Sequence, residues 1–126
     1  MGERRVKVLM VEDEPTVSQA VSSILKERYD LSVASDEATA KTSARESSPD
    51  VVLCDASLAT ERGANLIEAL KKATGRPDLP VVLMSGYLLE PEAFGAVAFL
   101  QKPFAPSEIF RMLDRFGSKA SNGTAR

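Results

Sequence analysis

The chain has 126 residues, a length that suits one domain with a core of its own. Lys plus Arg number 16 and Asp plus Glu 18, so the net charge of -2 leaves no basic excess for nucleic-acid phosphates or an anionic membrane. There is no His, which removes most catalytic triads, most zinc sites and any phosphohistidine donor, and the lone Cys54 cannot close an internal disulfide.

The opening "MGERRVKV" lacks the apolar core of a signal peptide and no stretch reaches bilayer length, so a cytoplasmic protein with no membrane contact is expected. "VKVLMV" (6–11) is apolar without alternation and rich in β-branched residues, as a strand buried on both faces of a parallel sheet should be. "EPTVSQAVSSILKERY" (14–29) follows at helical spacing, with Val17, Val21, Ile24, Leu25 and Arg28 near one face and Pro15 in the first turn. "LSVA" (31–34) is a weaker strand. Residues 36–47 open on Asp36, a good N-cap, with only alanines for an apolar face. "VVLC" (51–54) is the next strand, and 63–73 aligns Leu66, Ile67 and Leu70 on a helix. "PVVLM" (80–84) and "AVAFL" (96–100) are further strands; between them "GYLLEPEAFG" has room for one or two helical turns, with Pro91 near its middle. A last helix over 106–117, opened by Pro106, aligns Ile109, Met112, Leu113 and Phe116. Residues 118–126 are small and polar and are expected to form a disordered tail beyond a domain of residues 5–117.

Strand and helix in alternation imply right-handed crossovers and a doubly wound α/β fold with a five-stranded parallel sheet. Ligands bind such sheets beyond the carboxyl ends of the strands. Glu12 and Asp13 follow the first run, Asp55 the third, Ser85 and Gly86 the fourth, and Gln101, Lys102, Pro103 and Phe104 the fifth. Each alone has an ordinary explanation as a loop acid, a helix cap, a turn serine or a solvated lysine. Together they place three carboxylates, a hydroxyl and an ammonium on one rim. Crowded carboxylates repel one another unless a cation joins them, and an all-oxygen set suits Mg2+. A carboxylate beside Mg2+ and Lys102 can attack phosphorus and form an acyl phosphate. Asp55 is therefore read as a nucleophile rather than a loop acid.

Glu12-Asp13, Asp55, Ser85 and "KPF" at 102–104, in this order on these strands, resemble the receiver domain of two-component response regulators. The likeness covers roughly residues 5–117, and "SGY…FLQKPF" is similar in phrasing to receivers of hybrid histidine kinases. The resemblance implies strand order 2-1-3-4-5, five flanking helices and transfer of a phosphoryl group from a partner's phosphohistidine to Asp55. It further implies that Asp13, Asp55 and the backbone carbonyl of Ser57 ligate Mg2+, and that Glu12 assists through water. Ser85 would be the switch hydroxyl, Phe99 the switch aromatic, Lys102 the phosphoryl contact and Lys102-Pro103 a cis peptide. For Phe99, a core phenylalanine on a buried strand is the competing explanation. Gly86, Ser57 and Tyr87 flank the site and would tune hydrolysis, which is expected to be slow because none positions water as an amide or carboxylate does. Two departures stand out: "SLATERG" after Asp55 has Leu58 and Ala59 where a methionine and proline are common, with Gly63 in a usual place, and the fourth helix is short.

A phosphatase of the haloacid dehalogenase type would need a second Asp at position 57, which is Ser57, so turnover of free substrates is not expected and the chain is not read as an enzyme in that sense. A pseudo-receiver, binding proteins without phosphorylation, is the alternative. Expected partners are a histidine kinase or phosphotransfer protein, a downstream protein and, as an option, a second copy of the chain.

Overall fold

The computed structural model describes residues 5–59 and 66–121, without the side chains of 119–121. Gly63 and the start of the 63–73 helix therefore lie outside the described residues. In chain order the elements are β1 (Lys7–Val11), α1 (Pro15–Leu25), β2 (Asp30–Ala34), α2 (Glu37–Ser47), β3 (Val51–Asp55), α3 (Leu66–Thr74), β4 (Val81–Ser85), a 3-10 turn (Pro91–Phe94), β5 (Ala98–Gln101) and α4 (Pro106–Ser121). The strands form one parallel sheet in the order β2-β1-β3-β4-β5. Among the described residues no helix is long and apolar enough to cross a membrane.

The unbroken apolar runs have a simple cause. Successive side chains of a strand point to opposite faces, and here both faces are covered. Leu9, Val11, Val52, Cys54, Val81 and Leu83 point into one core with Ala40 and Ala44 of α2 and Leu66, Ile67 and Leu70 of α3. Val8, Met10, Val51, Leu53, Val82 and Met84 point into the other, against Val21 and Leu25 of α1 and Ile109 and Leu113 of α4. Burying a side chain of this size contributes about 1.5–3 kcal/mol. The alanine face of α2 lets that helix lie close to its neighbours, and Asp36 caps it by accepting from Thr39 N at 2.8 Å.

Two expectations need correction, over Arg28 and over the end of the last helix, whereas the short fourth helix is as expected. Arg28 is not on the buried face of α1: the helix ends at Leu25, and the exposed guanidinium pairs with Asp114 and lies 4.4 Å from the centroid of the Phe110 ring. The fourth helix is reduced to the 3-10 turn, so the described residues hold four α-helices rather than five. Pro91 starts this turn and Gly95, at φ +83°, ends it, which limits it to four residues, Pro91–Phe94. Residues 118–121 are helical rather than tail, because Gly117 does not stop α4. A Cβ at Gly117 would lie 2.5 Å from Val6 Cγ1 and 3.2 Å from Val51 Cγ1. The glycine lets α4 press against the sheet, and helix propagation carries the last turn past it.

Candidate functional site

Strands β1, β3, β4 and β5 deliver the polar residues to one rim. β3 ends on Asp55 and β4 on Ser85, while Glu12 and Lys102 each directly follow a strand. Glu12 stays in register because its N–H donates to Ala34 O at 3.0 Å, and Lys102 N donates to Ser85 O at 2.8 Å. Glu12, Asp55 and Ser85 are buried, whereas Asp13 is exposed.

The acids converge. One carboxylate oxygen from each of Glu12, Asp13 and Asp55 lies within 4.8 Å of the others. The Lys102 ammonium is 2.8 Å from Asp55 Oδ1 and 3.9 Å from Glu12 Oε1. Ser57 donates to the other oxygen of Asp55 with both its N–H, at 3.2 Å, and its hydroxyl. Glu12 Oε2 accepts from Glu14 N at 3.0 Å, but Glu12 Oε1 is buried with no hydrogen-bond partner. Burial pushes the Glu12 carboxyl above its ordinary value, and the charges of Asp55 and Asp13 add to that, against the Glu14 N–H and Lys102. This buried oxygen, with no hydrogen-bond donor and two more acids beside it, belongs to an oxygen-only set whose chemistry would fit Mg2+. Cys54, fully buried one residue before Asp55, has its thiol pushed up to about 12 by burial and then by the Asp55 and Glu12 charges.

The remaining predicted residues are spread around this centre. The Ser85 hydroxyl accepts from Tyr87 N at 3.0 Å. Gly86 has no atom within 4 Å of where a Cβ would stand, so that approach is open. Tyr87 is 83 % exposed and borders a cleft of about 440 Å3, shared with Asp55, Ser57, Ser85, Leu89 and Phe94. Phe99 pairs in register with Leu83 on β4, on the face of the sheet that carries Ser85. It is half-buried and belongs to neither core cluster. The Lys102-Pro103 peptide bond is cis. Two contacts went unseen in the sequence. A serine two residues after Asp55 was the only signal for the Ser57 hydroxyl bond. Nothing marked Lys71, whose ammonium caps the 3-10 turn through Gly95 O at 3.0 Å.

The family model of the response regulator receiver domain matches residues 8–114. The chain belongs to this family. Among its relatives are the two-component response regulator PprB of Pseudomonas aeruginosa, 28 % identical over 92 % of this chain and 45 % of that one, and the DNA-binding response regulator MtrA of Mycolicibacterium smegmatis, 30 % identical over 86 % and 49 %. The receiver thus spans about half the length of the curated relatives it matches. In structure it is similar to the chemotaxis protein CheY4 of Vibrio cholerae, with a TM-score of 0.79 at 25 % identity over 89 % of this chain and 98 % of the other. It also shares its fold with the receiver domain of a sensor histidine kinase from Pseudomonas aeruginosa, crystallised with a magnesium ion in its active-site cleft. There the TM-score is 0.78 and the identity 22 %, over 92 % of this chain and 99 % of that one.

Proposed function

We propose that this receiver accepts a phosphoryl group on Asp55 from the phosphohistidine of a histidine kinase or phosphotransfer protein, and that the modified state is read by a downstream protein. A carboxylate oxygen of Asp55 supplies the electron pair for the new P–O bond. The P–N bond to the donor histidine breaks, and the imidazole leaves with the P–N bonding pair and takes up a proton. Lys102 lies where it can neutralise charge on the transferring group. Glu12, Asp13, Asp55 and the Ser57 carbonyl would hold Mg2+, which when bound supplies the positive charge that phosphoryl transfer requires. After transfer, the Ser85 hydroxyl turns from Tyr87 N toward the phosphoryl oxygens, and Phe99, on the same face, responds to that movement. This is signalling, with no turnover of a free substrate, and it takes place in the cytoplasm of a bacterium. Homodimerisation and slow hydrolysis of the acyl phosphate belong to the same reading.

The convergence of the Lys102 ammonium with three acids around Asp55 is the observation that carries this. The test incubates the full chain with Mg2+ and acetyl phosphate and reads intact mass. One phosphoryl is expected on the native chain and none on Asp55→Asn or without Mg2+. If a folded chain takes none from acetyl phosphate or from a phosphohistidine donor, Asp55 is not an acceptor. The reduced fourth helix favours a second reading, a pseudo-receiver that binds its partner unmodified. Mg2+-dependent phosphorylation of Asp55 would rule that out.

A further inference from the structure

A carboxylate offers about four lone-pair positions, two on each oxygen. On Asp55 three of them are already taken: Oδ2 accepts from the Ser57 N–H and the Ser57 hydroxyl, and Oδ1 accepts from Lys102 at 2.8 Å. The single position left is on Oδ1, beside the Lys102 ammonium that repels a cation there, so a cation loads at Oδ2 and one donor must let go.

The three donors differ in how readily they can do so. Lys102 is drawn by Glu12 as well as Asp55, and its release would leave two buried acids facing each other without a counter-charge. The Ser57 N–H is backbone, fixed by the chain that follows β3. The Ser57 hydroxyl turns about one side-chain bond, and because Ser57 is exposed, water can satisfy it once it has swung outward.

We propose that the Ser57 hydroxyl is a latch on Asp55. It closes Oδ2 while the site is empty and must swing out before the site can load, so it competes intramolecularly with the divalent cation. This rests on the reading of the acid cluster as a Mg2+ site and of Asp55 as the acceptor. Ser57 is a positioning residue here; it gives no proton to the donor and takes none from it.

Releasing a hydrogen bond to a carboxylate costs on the order of 1 kcal/mol net, which corresponds to roughly a fivefold effect on binding. The test is a titration of the full chain with MgCl2 alone, followed by the amide resonances of residues 12–14 and 55–57. Ser57→Ala should bind Mg2+ about fivefold more tightly than the native chain, Ser57→Thr should match the native chain, and Ser57→Cys, a weak donor of similar size, should fall between. At Mg2+ below saturation, Ser57→Ala should also take phosphoryl from acetyl phosphate faster by a similar factor. A residue that merely shaped the turn would lower thermal stability in the alanine variant and leave the order of Mg2+ affinities flat. Unchanged or weaker Mg2+ binding by Ser57→Ala sinks the latch while leaving the acceptor reading in place. A native chain that neither binds Mg2+ nor accepts phosphoryl removes both.

Discussion

The two halves of the carboxyl rim are built differently. On the β1–β3 side Asp13 and Ser57 are exposed, but Glu12 and Asp55 are buried and bound: Glu12 is 2 % exposed, its backbone is tied to Ala34 and one of its oxygens to Glu14, and both oxygens of Asp55 are occupied. On the β4–β5 side the chain leaves the sheet at Ser85 and returns at Ala98 with a single 3-10 turn between. Tyr87 and Leu88 there are 83 % and 79 % exposed, and the turn is held by Leu89 and Phe94 beneath and by Lys71 at its end. Glu12 and Asp55 stand at the ends of strands paired on both sides, which holds their like charges in place. A segment with few buried contacts, such as this one, is where local opening is easiest. The β1–β3 side is the tightly held part of the rim, and the connection from β4 to β5 the loosely held one.

The largest effect that tests this contrast comes from a single segment. Leu83→Ala, beneath the turn and fully buried, should cost about 2–5 kcal/mol in chemical denaturation. A loss under about 1 kcal/mol would mean that the β4–β5 side is loose down to its strands. Next, Mg2+ at a hundredfold excess over its dissociation constant should stabilise the chain by about 2.7 kcal/mol, an increment that EDTA reverses and Asp13→Asn greatly reduces. A stabilisation indifferent to Asp13 would place the cation elsewhere.

Glu12→Gln addresses the cost of the paired half. The Glu12 carboxyl titrates above its ordinary 4.5 in the folded chain, so the folded state binds its proton more readily than the unfolded state does. Its contribution to stability is therefore greatest below pH 4.5 and is lost as pH rises through the raised value. In metal-free buffer Glu12→Gln should gain stability at neutral pH, and the gain should fade as pH falls toward 4.5. Thermal melts across that range check both the sign and the fading. The smallest effect belongs to Leu88→Ser, which should change stability by less than about 0.5 kcal/mol, because the side chain is already in water.

The sheet was legible because burial on both faces leaves continuous apolar runs, and the rim because a polar residue ending such a run has few places to go. Glu12, Asp13, Asp55 and Lys102 are brought together as their positions after the strands suggested. The reduced fourth helix was legible too, from Pro91 and the short interval between two strands. Long-range contacts were not. The close approach of Val6 to Gly117 has no local signal, and Arg28 reads as part of a stripe until Asp114 and Phe110 pull it outward. The Ser57 hydroxyl and the Lys71 cap depend on one rotamer and one packing angle, and no local pattern encodes either.

Cys54 carries a consequence of its own. The only sulfhydryl in the chain lies inside the central strand, against the core shared with α2 and α3, and its proton is held to about pH 12. An alkylating reagent reaches it only when that strand opens, since the thiolate is the reactive form. The native sequence thus contains its own clock for global unfolding. Its labelling rate with and without a bound cation or phosphoryl group would give the stabilisation each confers, with no probe introduced.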